Sequence, residues 1–174
     1  MKRITLLFLL VSMSLIPMCA QENSQVADFV KQKVIFDVHA DYSTGSKTHL
    51  SQGIDLGIML GKRAYAFAGF GNQWTLYKQD GEKNYYSATL IGGGLGFRWL
   101  HNDEHRMSLD TRIKVGQSIG GNSISCTMYD VGIHLRLGGN IFVPTIGFGF
   151  RHEHIHTRGL SNQNHMYLSV GIGL

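Results

Sequence analysis

The densest run of chemistry-bearing side chains is Arg151-His152-Glu153-His154-Ile155-His156, with His165 nine residues further on. In an extended chain His152, His154 and His156 share one face at spacings of about 7 Å. Imidazoles so spaced can share a zinc ion at bonds of roughly 2 Å, provided their rotamers converge and a further ligand completes the site. His165 is the nearest further candidate, but its parity puts it on the opposite face. A wetted rim of histidines is the simpler reading, so no cofactor is expected and His152, His154 and His156 stand as metal candidates only.

A second constellation emerges when alternate residues are followed through the whole chain. One parity collects Asp37, Asp41, Asp55, Asp110, Asp130 and Glu153 together with Arg98, Arg106, Arg112, Lys114, Arg136 and Arg151, with His39 and His134 among them. Acids and bases in equal number on one face can pair across a narrow space. This favours a brace of mutually neutralised charges, with a proton or ion path as the alternative. The same parity carries Gly92, Gly94, Gly96, Gly147, Gly149, Gly171 and Gly173, which leave room for long side chains opposite. Gly92-Gly93-Gly94-Leu95-Gly96 is not a phosphate loop, because no helix follows to offer its N-terminal amides.

These faces need strands to position them. Eight alternating segments are expected at 33–44, 50–61, 64–78, 85–100, 105–117, 123–138, 141–156 and 163–174. Each reaches the roughly 9 to 11 residues that a tilted strand needs to cross a bilayer. In the fifth, Met107, Leu109, Thr111, Ile113 and Val115 oppose Arg106, Ser108, Asp110, Arg112 and Lys114; the last alternates Met166, Leu168, Val170, Ile172 and Leu174 with small or polar residues. The third segment reads in either register, so a bulge is expected there. Pro144 falls on the apolar parity of the seventh, where its missing N–H interrupts the ladder or sits at a bulge.

Tyr85 and Trp99 share a face and lie fourteen residues apart, a span of about 35 Å along a membrane normal for a tilted strand. Trp74, Tyr77, Tyr85 and Tyr86 are expected to form part of one aromatic girdle. Turns at 61–63, 101–104 and 138–140 are short, whereas connections such as 79–84 and 157–162 are expected to be longer. That asymmetry, with an even number of strands, predicts an all-β, eight-stranded antiparallel up-and-down transmembrane β-barrel over 33–174. Alternation alone does not exclude a soluble sandwich with one wet face.

The N-terminus points the same way. Lys2 and Arg3 precede an apolar run from Ile4 to Ile16 and then Pro17-Met18-Cys19-Ala20, the layout of a secretory signal over 1–20 with cleavage expected after Ala20. Cys19 leaves acylation as the alternative, against which stands the bulk of Met18. A polar periplasmic lead-in over 21–32 follows. Without Lys2 and Arg3 the sixteen basic residues become fourteen against twelve acids, a balance that gives no sign of nucleic acid. Cys126 alone then remains, so no internal disulfide is expected.

Eight strands behind a signal, ending in Leu168-Ser169-Val170-Gly171-Ile172-Gly173-Leu174, resemble small outer-membrane proteins of the OmpX and OmpA-barrel type, and the Ala20-Gln21 junction is similar to those of Bacteroidetes. The resemblance implies location in the bacterial outer membrane, with outer-membrane lipid, lipopolysaccharide and the barrel-assembly machinery as partners and a surface ligand of unknown kind. Leu174 stands where these proteins usually have Phe. Lys47, Lys78, Lys83 and Arg158 would lie near the outer rim, where cations attract lipid phosphates. A narrower stretch, His154-Ile155-His156-Thr157-Arg158-Gly159-Leu160, resembles the His-x-Ser-Asn-x-Gly-Leu segment of PagL-like lipid A deacylases. That likeness implies His154 as base, but the nucleophile position is His156 and Leu168 stands near the family's acid. Ser161 would serve only if the hairpin folded it back towards His154.

Overall fold

The computed structural model describes residues 34–43, 47–79, 82–102, 107–120, 123–138 and 142–174. The expected signal over 1–20 with Cys19, the lead-in over 21–32, and Arg106 lie outside them. The described chain forms eight strands: β1 Val34–Ser43, β2 Thr48–Met59, β3 Ala64–Gln79, β4 Glu82–Asn102, β5 Met107–Ile119, β6 Cys126–Leu137, β7 Val143–Ile155 and β8 Gln163–Gly173. Each pairs antiparallel with its neighbour in sequence. β1 closes on β8 from Asp37↔Gly173 to Tyr42↔Leu168, so the sheet is a closed up-and-down barrel. Closure leaves no unpaired sheet edge.

Side-chain parity divides the wall. In β6 buried and outward residues alternate from end to end, with Asp130, His134 and Arg136 inside and Val131 and Ile133 outside. β7 and β8 repeat this, placing Arg151, Glu153, His165 and Ser169 inside and Phe148, Leu168, Val170 and Ile172 outside. Ile133, Phe148, Leu168 and Ile172 are each more than half exposed. A barrel with apolar side chains outside and charges inside inverts the layout of a soluble protein and has the architecture of transmembrane β-barrels.

Several details differ from expectation. The third strand holds one register against both neighbours, with Tyr65, Phe67, Gln73 and Thr75 inward. The irregularity lies in β4, where the pairing with β5 shifts between Arg98 and Leu100, so Trp99 and Leu100 both face outward. An extra residue there turns out two large apolar side chains in succession while Arg98 stays inside. The indole N–H of Trp99 donates to Thr111 Oγ1 at 2.8 Å, and its ring packs edge-on against Phe97. Tyr85 and Trp74 are outward, as the girdle requires, but Tyr86 turns in against a cluster of Ala88, Leu90, Ile124, Cys126, Met128 and Ile155. Away from a bulge, adjacent residues of a strand point to opposite faces. The side chain of Tyr77 is outside the described set. Residues 79–84, expected as a longer loop, mostly continue β3 and β4, leaving only 80–81 between the strands. Pro144 faces outward at the ladder's end: β6 and β7 pair only as far as Arg136↔Thr145, the residue beside the proline.

Inward glycines make the interior fit. A side chain at Gly96 would enter the Tyr65 ring, at Gly147 the His134 ring, and at Gly149 the Tyr167 ring. Gly149→Val should therefore lower unfolding stability by about 1–3 kcal/mol through overpacking. Gly61→Val, where open space surrounds the position, should stay within about 0.5 kcal/mol of the parent. Urea titration of micelle-folded protein compares them, and equal stabilities would contradict this packing.

Candidate functional site in the barrel interior

The interior is layered along the barrel axis. At the end where the termini of the barrel meet, Asp37 accepts from the guanidinium groups of Arg112 and Arg136, each at 2.5 Å. Arg112 also donates through Nε to Tyr65 Oη at 2.8 Å, and Tyr65 donates to Asp110 at 3.1 Å. Asp110, wholly buried, lies 3.4 Å from Arg98. Next along the axis, Lys114 donates to Asp55 at 2.6 Å, with His39 at 3.8 Å. His134 is buried in the same region against Gly147.

Arg151 is the central clamp. Its guanidinium donates to Asp41 at 2.7 Å, to Asp130 at 2.8 Å and to Ser51 Oγ at 3.0 Å, joining β7 to β1, β6 and β2. Ser51 donates onward to Asp41, and Tyr167 donates to Asp130 at 2.7 Å while its ring lies under Arg151. Two small cavities of about 30 Å³ each lie among these groups. Such a space holds only one or two water molecules.

The opposite end, which carries the β1–β2, β3–β4, β5–β6 and β7–β8 connections, has a different chemistry. There Glu153 accepts from Gln73 Nε2 at 2.6 Å and lies 4.0 Å from His49 Nδ1 and 3.8 Å from His165 Nε2. The two imidazoles stack at 4.0 Å between centroids and 13° between planes. Thr75 Oγ1 stands 3.1 Å from His49 Nδ1. Both amide atoms of Gln163 and both ring nitrogens of His165 are buried without a hydrogen-bond partner.

The outward histidines, candidates for a metal only, each make separate local contacts. His152 bonds Asn164 at 2.6 Å, His156 meets Thr127 at 3.0 Å, and His154 packs edge-on against His156 at 4.9 Å between centroids. His154 and His156 are exposed on the outward face, where strand parity spreads them along the wall. Among the described residues, the ligand-type side chains that converge are His49, Glu153 and His165. Ser161 is exposed in the β7–β8 connection, and no hydrogen bond joins it to His154, so the base and nucleophile of a deacylase are not assembled. Leu168 is outward and half exposed.

Sequence reasoning missed His49 because the second segment was expected to begin at residue 50, leaving this histidine in a loop. One residue pair of additional strand would have put it on the inward parity. It also treated His165 only as a fourth ligand for the outward histidines, not as a partner for the inward Glu153.

Fold and interior together define a closed eight-stranded antiparallel barrel, apolar outside and ion-paired inside. No protein-family model and no curated protein matches the chain. Among solved structures it is similar to a de novo designed transmembrane β-barrel at 13% identity and a TM-score of 0.46, over 82% of this chain and 93% of that one. It is also similar to the N-terminal β-barrel domain of Pseudomonas aeruginosa OprF at 11% identity and a TM-score of 0.46, over 82% of this chain and 98% of that one.

Removing the clamp should be costly. Arg151→Ala would leave Asp41 and Asp130 buried without their guanidinium, and loss of one partner from a buried ionic group costs about 3–5 kcal/mol. Guanidinium-induced unfolding in micelles measures this loss, and a midpoint equal to the parent's would refute the clamp.

Proposed function

We propose that the protein is an integral outer-membrane barrel whose closed, charge-braced lumen serves a structural or surface-interaction role. The observation that carries this reading is the pairing of the inward charges inside a wall whose outward face is apolar. A continuous exposed apolar belt is unstable in water and is satisfied by lipid. A narrow lumen occupied by paired ions and glycine-seated aromatic rings leaves no room for a conducting column. The longer reach of β3 and β4 beyond the barrel body, and Arg158 in the β7–β8 connection, fit an outer rim facing lipopolysaccharide. Lys78 and Lys83 are paired in the backbone ladder of that hairpin and Lys47 precedes β2, positions from which cations would attract lipid phosphates.

Cell fractionation should recover the protein with the outer membrane, and unheated samples should migrate differently in gels from boiled ones. Planar bilayers should show no stepwise current, and lipid A from expressing cells should keep its acyl chains by mass spectrometry. Stepwise currents would support a narrow channel instead, and shortened lipid A an acyl hydrolase.

The membrane reading also has an energetic test. Ile133, mid-strand on the outward face of β6, should tolerate Arg poorly, with a loss of about 2–4 kcal/mol near the bilayer midplane. Refolding into vesicles gives the value. An unchanged free energy would count against lipid on this face.

A further inference from the structure

We propose that His49, Glu153 and His165 form a binding site for a divalent transition-metal ion of the zinc type, at the loop-bearing end of the barrel interior. One donor atom from each lies within 4.8 Å of the others. The three residues come from β2, β7 and β8, and are 3%, 2% and 9% exposed. Two imidazoles and a carboxylate are a donor set that zinc accepts readily.

Two independent features point to a cation. The five inward aspartates each have an Arg or Lys within 3.4 Å. Glu153 differs: among the described ion pairs its partners are the two histidines, with Arg151 and Lys47 acting at longer range. A buried carboxylate needs a compensating charge. Neither histidine supplies one through a hydrogen bond, since the nitrogens stand 3.8 and 4.0 Å away. The second feature is the set of orphaned polar atoms. His165 offers two unpartnered nitrogens, and Gln163, paired across the strands with Glu153, two more unpartnered atoms. Buried polar groups are normally satisfied, so several orphans around one carboxylate mark a place for a ligand.

The geometry requires little movement. Zinc bonds of about 2.0–2.2 Å set tetrahedral donors roughly 3.4 Å apart. From within 4.8 Å of one another, the donors would have to close to that separation by rotation of the stacked imidazoles. Thr75 Oγ1 stands beside His49 Nδ1, the nitrogen that also faces Glu153, so this hydroxyl would turn away from Nδ1 for that nitrogen to take the ion. A bound ion would tie β2 to β7 and β8 across β1, at the end of the barrel where the connections emerge.

The test uses the full barrel folded in detergent micelles, titrated with zinc chloride in a calorimeter and with cobalt(II) in a visible spectrometer. The parent should bind one zinc ion per barrel, give the intense visible bands of tetrahedral cobalt, and melt at a higher temperature with zinc. His165→Ala and the near-isosteric Glu153→Gln should each weaken binding by about tenfold or more and lose the visible bands. Heat-dependent gel migration establishes that each variant is folded, and the Gln variant serves if the Ala variant is not. A triple variant, His152→Ala with His154→Ala and His156→Ala, should bind as the parent does. The proposal is overturned if the parent shows no saturable binding, if the triple variant abolishes it, or if folded Glu153→Gln retains it unchanged.

Discussion

The structure depends on one constraint: inside a narrow eight-stranded barrel an ionised side chain has almost no water, so each charge must find its opposite across the lumen. Arg151 shows how this organises the fold. Its single guanidinium reaches Asp130 on the neighbouring β6 and, across the lumen, Asp41 on β1 and the hydroxyl of Ser51 on β2, two strands that β7 does not pair with in the wall. Asp37 works in reverse, gathering Arg112 from β5 and Arg136 from β6 onto β1. These contacts fix the relative register of distant strands. A slip of one residue would send each of these charges into the apolar face. Ion pairs of this kind add little net stability over a packed apolar interior, but they make every alternative register expensive.

The glycines and the bulge are consequences of the same requirement. A lumen filled by Arg and Tyr side chains must be emptied elsewhere, and the inward glycines are opposite rings: Gly96 before Tyr65, Gly147 before His134, Gly149 before Tyr167. The β4 bulge lets Arg98 keep its inward place by Asp110 while Trp99 and Leu100 both turn out. Without that extra residue, one parity could not serve both the charge and the apolar belt near the strand's end.

Parity made most of this legible from the chain alone. Asp130, His134 and Arg136, all on one parity of a segment whose other parity is Val131, Ile133 and Leu135, identify an inward face with no tertiary knowledge. The strand count and the antiparallel barrel followed from the same period. What parity cannot give is depth and direction across the lumen: that Asp37 meets Arg112 and Arg136 but Asp55 meets Lys114 depends on strand tilt and stagger. Nor can it place strand ends. Residues 79–84 looked like a loop because polar and charged residues crowd there, yet backbone pairing between β3 and β4 continues past the apolar belt. His49 was lost for the same reason, as a polar residue at a strand end that pairing nonetheless carries inward.

The two ends of the interior follow different chemical rules, and the difference is not an accident of composition. Towards the barrel's termini, Arg and Lys supply permanent positive charge to aspartates. Towards the connections, Glu153 is faced by the neutral amides of Gln73 and Gln163 and by His49 and His165, imidazoles that compensate a carboxylate by taking up a proton or sharing a metal. An apolar cluster of Ala88, Leu90, Cys126, Met128 and Ile155 fills the other side of the same end. It reduces access of water and so raises the free-energy penalty of an uncompensated Glu153. The wall is therefore locked at one end by fixed charges. At the other, a carboxylate, two imidazoles and unsatisfied amides make the interior responsive to a cation, on three strands whose ends carry the β1–β2 and β7–β8 connections.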